Sequence, residues 1–332
     1  MSASLFSFVS QGVDAYCVMG HPVAHSRSPW IHARFAELTG QALAYDRCLV
    51  PLGGFAEALQ AFVAAGGRGC NVTVPFKLEA AQLATRCSER VQLAGAANTL
   101  SFIDGAIVAD NTDGLGLVAD IARNAGITLA GRDVLLVGAG GAAAGALGPL
   151  LAAGPRRVVV ANRTLARAEA LVQSHTALAA LQKAELLALP PQALEADLTK
   201  NCAFDVVINA TASSLAGGGV PVPASVLRAG SLAYDMMYGP AAQGFLDWAA
   251  QHGFHGRGGA KGVSASGRAA ASAAISARSS ASTCAPGGRT PRQMAKASAA
   301  CSTSMPRPSR GSAPCCAAQS RKPCAAGPYI MS

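Results

Sequence analysis

The chain has 332 residues, 51% of them hydrophobic, which is enough material for roughly two domains with their own cores. Its net charge of +9 comes from one segment, because residues 254–332 contain eleven Lys and Arg and no acidic residue. The rest of the chain then has 16 basic and 18 acidic side chains, so its composition does not favour binding to nucleic acid.

Membrane and metal functions are not indicated. No apolar run approaches the roughly 20 residues of a membrane span, and the N-terminal segment MSASLFSFVSQGVDAYC lacks the basic start and cleavage site of a signal peptide. We therefore expect a cytoplasmic protein without a membrane partner. The ten cysteines include no CxxC pair, and no further ligand completes a set with His25 and His32, so no metal site is predicted.

In chain order, the first unit alternates strand-like and helix-like segments. The pattern predicts strands over 14–19, 43–50 and 70–74, with helices opening at Ser28-Pro29 and over 53–65. Asp104-Gly105 then predicts a hairpin turn between strands over 99–103 and 106–110. The predicted fold class of this unit is α/β.

A second unit begins after a predicted helix over 114–124. Residues 133–138 form a continuous apolar strand, which leads into the segment GAGGAAAG and a predicted helix over 146–153. Further strands are predicted over 157–161, 205–208 and 232–235. This alternation predicts a doubly wound Rossmann domain.

The glycine-rich segment between strand and helix predicts a dinucleotide site. Gly138, Gly140 and Ala143 fit the pattern G-x-G-x-x-G/A, in which a bare backbone lets a pyrophosphate approach a helix N-terminus. The alternative is a glycine-rich turn that binds no ligand. The strand-loop-helix context favours the dinucleotide site.

The end of the second Rossmann strand distinguishes between nicotinamide cofactors. An NAD site needs an acidic residue there, but the sequence offers Asn162, Arg163, Thr164 and Arg167, with no carboxylate before Glu169. Arginines suit a 2′-phosphate, so the predicted cofactor is NADP. Alternatively, the two arginines are solvated residues at a helix start.

Four polar segments of the first unit lie at predicted strand ends or loops, where α/β proteins place ligand contacts: HSRSP, NVTVPFK, ANT and DNTDG. Taken singly, their residues have ordinary interpretations. Lys77 could be a solvated residue at a helix start, and Asp113 and Ser28 could be helix caps. Together they favour a binding site.

Seven motifs occur in the order GHPVAHSRSP, NVTVPFK, GAANTL, DNTDG, GAGGA, ANRT and YDMMY. In this order and spacing the chain closely resembles the NADP-dependent shikimate dehydrogenase family over residues 14–253. The resemblance implies reduction of 3-dehydroshikimate to shikimate, a step of chorismate and aromatic amino-acid biosynthesis. The reaction would take place in a cleft between a substrate domain and an NADP domain.

Carried over position by position, the resemblance implies that Lys77 and Asp113 handle the proton of the reaction. It places the substrate contacts at Ser26, Ser28, Thr73, Asn98, Asp113 and Tyr238. It places the cofactor contacts at Gly138, Ala139, Gly140, Gly141, Ala142, Asn162, Arg163, Thr164, Arg167, Met236 and Glu89. The expected partner is a small-molecule substrate, and a homodimer remains open.

We therefore divide the chain into three predicted segments. These are a substrate-binding and catalytic domain over 1–113, an NADP-binding domain over 114–253, and a basic, low-complexity tail over 254–332 that we expect to be disordered. The resemblance stops after residue 253, where the family continues with a D-G-x-x-M-L loop and a helix bearing a substrate-contacting glutamine. We interpret the tail as a shifted reading frame, and resequencing the DNA around codons 250–260 tests this.

Two alternative functions follow from the same residues. One is a quinate/shikimate dehydrogenase of broader specificity, since discrimination between similar ring acids depends on contacts in the pocket. The other is a catalytically impaired NADP-binding remnant, because the glutamine helix is missing. A tail that binds an anion such as nucleic acid is less favoured, because it lacks interleaved aromatic residues.

Overall fold

The computed structural model describes residues 6–9, 12–198, 203–213 and 222–259. Most of the predicted tail, with the reading-frame hypothesis that concerns it, lies outside these residues. The strands are β1 (Asp14–Gly20), β2 (Leu43–Leu49), β3 (Gly69–Val72), β4 (Arg86–Cys87), β5 (Thr99–Ile103), β6 (Ala106–Asp110), β7 (Asp133–Val137), β8 (Arg157–Ala161), β9 (Glu185–Leu189), β10 (Phe204–Asn209), β11 (Leu227–Asp235) and β12 (His255–Gly258). The α-helices are α1 (Ser28–Thr39), α2 (Phe55–Ala64), α3 (Lys77–Leu83), α4 (Glu89–Ala94), α5 (Asp113–Ala119), α6 (Gly141–Ala152), α7 (Leu165–Gln182), α8 (Leu194–Leu198) and α9 (Gln243–Gln251).

The first sheet has the order β2-β1-β3-β5-β6-β4. Strands β1, β2 and β3 are parallel, whereas β5 is antiparallel to both β3 and β6. The hairpin between β5 and β6 confirms the predicted turn, since Asp104 and Gly105 have φ angles of 51° and 75°. The carboxyl ends of β1 and β3 therefore lie side by side, and the segments HSRSP and NVTVPFK follow from them.

The second sheet has the order β12-β11-β10-β7-β8-β9, and all its strands are parallel. Every residue of β7 and β8 is buried, because apolar clusters cover both faces of the sheet. This order is the doubly wound Rossmann order, and its direction reverses between β7 and β10. Ligands of such sheets bind at the carboxyl ends of the strands beside that reversal.

Helix α6 begins at Gly141, five residues before the predicted start at 146. The four glycines of the GAGGAAAG segment lower its helix propensity, but in the fold its small side chains pack into the core of the second unit, where Ala143 and Ala144 are buried. The dinucleotide loop is consequently only three residues long, between Val137 and Gly141.

The second sheet also extends past residue 253, where the tail was predicted to begin. Strand β12 pairs with β11 from Leu232 to Asp235. Its sequence HGRG has no apolar residue that would predict a strand. The strand is held by backbone pairing and by Arg257, whose Nε and Nη2 donate to the Asp120 carboxylate at 2.5 and 2.6 Å.

The two units meet where α5 packs on α6, and α5 continues directly into a π-helical turn (Asp120–Asn124). The close approach depends on glycine, because a Cβ on Gly114 would lie 2.4 Å from the carbonyl oxygen of Gly145. A Cβ on Gly145 would in turn lie 2.5 Å from the Asn111 amide. No helix within the described part of the chain is both long and apolar enough to cross a membrane.

Candidate active site

The centre of the site is a buried ion pair. Lys77 is the first residue of α3, yet it is only 6% exposed, so it is not a solvated residue at a helix start. Its Nζ donates to Oδ2 of Asp113 at 2.6 Å, and the two side chains are 7% and 1% exposed. The two residues are 36 positions apart in the chain, and the antiparallel pairing of β3, β5 and β6 brings them together.

Asp113 is oriented by its neighbours rather than used as a cap. It is the first residue of α5, where Thr112 holds the N-cap position and makes no side-chain capping bond. Oδ1 of Asp113 accepts from Nδ2 of Asn98 at 2.7 Å, and its backbone N–H donates to Oδ1 of Asn111 at 3.1 Å. The carboxylate therefore has one oxygen for the amide and one for Lys77.

Asn98 and Thr73 extend the polar surface beside this pair. Asn98 is fully buried, and its Nδ2 also donates to Oγ1 of Thr112 at 3.0 Å. Thr73 follows β3 directly, and its N–H donates to the carbonyl of Met19 at 2.9 Å, which fixes it against the end of β1. Asn98, Thr73 and Lys77 thus lie at neighbouring strand ends of the first sheet.

Ser26 and Ser28 form a second polar centre, in the loop after β1. Both are buried, at 4% and 5% exposure. The Ser26 hydroxyl donates to Oγ of Ser28 at 3.1 Å, and the Ser28 N–H donates back to Oγ of Ser26 at 3.3 Å. Each hydroxyl oxygen thus accepts one hydrogen bond within the pair, and Ser28 is the first residue of α1.

Tyr238 reaches this loop from the second unit. Its hydroxyl accepts from the backbone N–H of Arg27 at 3.3 Å, although 211 residues separate the two in the chain. The structure thereby brings the predicted contact Tyr238 to the serine pair, across the cleft between the units. His25 lies beside it, with its ring centroid 6.4 Å from that of Tyr238.

The sequence analysis did not identify Tyr45, on β2, behind the serine pair. Its hydroxyl donates to Oδ1 of Asn71 at 2.6 Å, and its ring stacks on His32 with centroids 4.1 Å apart. Burial raises the pKa of Tyr45 well above its usual range, so the phenol remains protonated and donates. In the sequence, the position of Tyr45 on a strand of alternating polarity was the available signal. Its hydrogen-bond partner could not be predicted, because that partner depends on the order of the strands in the sheet.

The start of helix α6 packs against the aliphatic part of the Lys77 side chain. A Cβ on Gly141, the first residue of α6, would lie 2.9 Å from Cβ of Lys77. Gly138 has φ +112°, and a Cβ there would lie 3.2 Å from the backbone of Ala210, so only glycine fits this turn. Around Gly140 the space is open. Backbone at this N-terminus can therefore face a pyrophosphate.

The other predicted cofactor residues lie around this loop. Ala139 and Ala142 are half-buried beside it, and Asn162 Nδ2 donates to the Thr164 carbonyl at 2.8 Å in the turn after β8. Arg163 and Arg167 are exposed. Across the described ranges neither pairs with a carboxylate.

Met236 and Glu89 complete the predicted set. Met236 follows β11, and its N–H donates to the carbonyl of Asn209 at 3.0 Å, close to the reversal of strand order. Glu89 is exposed at the start of α4, which packs on α6, and Ser88 caps that helix by accepting from the Val91 N–H. Among the residues that the structure describes, Glu89 has no partner that points to a cofactor role.

These residues fit a phosphorylated dinucleotide. The bare loop at the start of α6 can receive a pyrophosphate, and the two exposed arginines lie at the end of β8, where an NADP 2′-phosphate belongs. Among the described residues no cluster of three or more His, Cys, Asp or Glu could hold a metal ion.

Comparison with protein-family models matches both units. Residues 18–100 match the Shikimate dehydrogenase substrate binding domain, and residues 120–216 match the Shikimate / quinate 5-dehydrogenase domain. The chain is 74% identical over 251 residues to the shikimate dehydrogenase (NADP(+)) of Acidovorax sp. (strain JS42), a match that covers 76% of this chain and 87% of that protein.

Solved structures show the same architecture. The Ael1 enzyme from Pseudomonas putida matches with a TM-score of 0.64 and 44% identity, over 74% of this chain and 87% of that one. Shikimate 5-dehydrogenase from Thermus thermophilus, in complex with NADP(H) and shikimate, matches with a TM-score of 0.61 and 31% identity, over 74% of this chain and 86% of that one.

Proposed function

Because this chain belongs to the shikimate dehydrogenase family, we propose that it catalyses the reversible, NADPH-dependent reduction of 3-dehydroshikimate to shikimate. The observation that carries the proposal is the buried 2.6 Å pair of Lys77 and Asp113, which lies against the first residue of the dinucleotide helix α6. A proton donor and a nicotinamide can both reach one carbonyl there.

Lys77 has the role of general acid. Reduction of a ketone by hydride creates negative charge on its oxygen, and a positioned acid that supplies the proton contributes about 10²–10⁴ in rate. The Lys77 ammonium can donate along Nζ–H to that oxygen while Asp113 holds the side chain in place. In the reverse direction the neutral amine takes the proton from the alcohol.

The substrate's carboxylate has its place at Ser26 and Ser28. Two hydroxyls and the N-terminus of the 12-residue helix α1 converge there, and such a helix end favours an anion. Asn98, Thr73 and Tyr238 then face the ring hydroxyls. In this orientation the reacting carbon of the substrate ring lies next to Lys77.

NADP, when bound, supplies and accepts the hydride. The loop from Gly138 to Ala142 would hold its pyrophosphate, and the turn from Asn162 to Arg167 would hold its 2′-phosphate. Met236 and Glu89 are the remaining contacts of this proposal. We also propose a cytoplasmic location and leave a homodimer to be tested by sedimentation.

The test is turnover of the purified full chain. NADPH formation is followed by absorbance with shikimate, with quinate, and with NADP or NAD. We expect shikimate and NADP to give the highest kcat/KM. Comparable rates on quinate would favour the broader enzyme named by the second family model, and NADP binding without turnover would favour the remnant.

A further inference from the structure

The loop that carries Ser26 is held by an arginine of the neighbouring strand β2, and the proposed function does not use this arginine. Arg47 lies on β2, the edge strand of the first sheet. Its Nε and Nη2 donate to the backbone carbonyl of Ser26 at 2.9 and 2.6 Å. Two N–H groups of one planar guanidinium on a single oxygen fix both the direction and the distance of that carbonyl.

Tyr45 supports the same loop from the same strand. Side chains two residues apart on a strand point to the same face, so Tyr45 and Arg47 both lie under the serine loop. The Tyr45 ring stacks on His32, and Nδ1 of His32 is hydrogen-bonded to the backbone carbonyl of Ser28 at 2.9 Å. Strand β2 therefore supports the loop directly at the Ser26 carbonyl through Arg47, and Tyr45 packs on the first turns of α1, which begins at Ser28.

Arg47 also brings a charge to this place. Over the described part of the chain its guanidinium forms no ion pair with a carboxylate. The nearby Asp46 uses Oδ1 to accept from the Arg47 backbone N–H at 2.7 Å, and its side chain points to the opposite face of the strand. Asp46 therefore does not neutralise the positive charge of Arg47 on the side of the strand that faces the two neutral serines.

We propose that Arg47 is a positioning and specificity-determining residue for the carboxylate of the substrate. It holds Ser26 in the geometry that binds the anion, and its charge favours a carboxylate over a neutral group of similar shape. The inference rests on the proposed function, because it concerns the same substrate and the same pair of serines.

Kinetics of three variants test it: Arg47→Met, which keeps the aliphatic stem; Arg47→Lys, which keeps the charge and loses the fork; and Arg34→Met as the control. Arg34 is an exposed arginine of α1, paired with Glu37. The substrates are shikimate and its methyl ester, which has no charge. Thermal unfolding of each variant shows that it folds.

We expect Arg47→Met to raise KM for shikimate about tenfold, with kcat and KM for NADP within about twofold of the unmodified chain. The preference for shikimate over its ester should fall by a similar factor. Arg47→Lys should lie between the two, and Arg34→Met should match the unmodified chain. Added salt should raise KM for shikimate in the unmodified chain more than in Arg47→Met.

An unchanged KM for shikimate in Arg47→Met overturns the inference. Equal weakening of shikimate and its ester also overturns it, because the arginine would then only support the loop. Failure of the proposed function is distinct: the unmodified chain would not form NADPH at all. Shikimate binding would then still be measured by the fluorescence of Trp30, which is 67% exposed and lies close after Ser28 in the chain.

Discussion

Replacement of Lys77 by Met keeps the length of the side chain and removes its ammonium. The general acid is lost, so kcat should fall about 10²–10⁴-fold, equivalent to about 3–5.5 kcal/mol of activation free energy. KM for NADP should change little, because only the aliphatic part of Lys77 lies against Gly141.

The same change leaves a carboxylate buried without its cation. Asp113 is 1% exposed and keeps the Asn98 amide as a donor, so Lys77→Met should lower the free energy of unfolding by about 3–5 kcal/mol. A second change, Asp113→Asn, removes the stranded charge. The double variant should therefore recover much of the stability but none of the activity.

The assays are NADPH formation with shikimate and urea unfolding. Lys183→Met is the matched control, because Lys183 lies at the end of α7, away from the site, and it should leave both measurements unchanged. Turnover of Lys77→Met at the unmodified rate would remove the lysine from the mechanism. Stability losses that simply add in the double variant would show that the two groups do not interact.

Three further predictions concern the cofactor, the contact between units and pH. Arg163→Ala with Arg167→Ala should lower the NADP to NAD ratio of kcat/KM about a hundredfold or more, as the loss of two bonds to one phosphate at about 1.5–3 kcal/mol each predicts; an unchanged ratio refutes the 2′-phosphate site. Gly145→Ala should lower the melting temperature, since its Cβ would meet an amide at 2.5 Å, whereas Gly244→Ala in α9, with open space, should not. Burial lowers the pKa of His175 below 6.5, so the neutral ring is favoured on folding; the stability it contributes is complete above about pH 6.5 and is lost as the pH falls, and His175→Gln should flatten that dependence.

The polar segments at strand ends indicated Lys77 and Asp113 as candidate site residues, and the family resemblance implied their role. Lys77 and Asp113 each follow a strand and begin a helix, and polar residues at such places in α/β proteins face ligands. What the sequence could not decide was between that interpretation and a solvated lysine or a helix cap. Burial excludes the solvated lysine, and that burial follows from the pairing of β5 and β6 with β3, which is not local.

Tyr45 and Arg47 show where sequence reasoning ends. The segment LAYDRCL reads as a half-buried strand with polar residues on its outer face. Nothing in it indicates that β2 is an edge strand beside the loop that follows β1. Only the register between β1 and β2, which pairs Val18 with Arg47, places the guanidinium near the end of β1 and within reach of Ser26.

The ion pair and the dinucleotide loop lie on different units, and this has a physical consequence for catalysis. Lys77 and Asp113 both belong to the first unit, whereas the dinucleotide loop belongs to the second, and they meet through Gly141. A change in cleft width would therefore move the nicotinamide relative to an intact ion pair rather than separate the pair itself. Crowding at Gly145 would in addition reach Asn111, whose Oδ1 accepts from the Asp113 N–H, so Gly145→Ala should lower kcat by disturbing both the contact between the units and the position of Asp113.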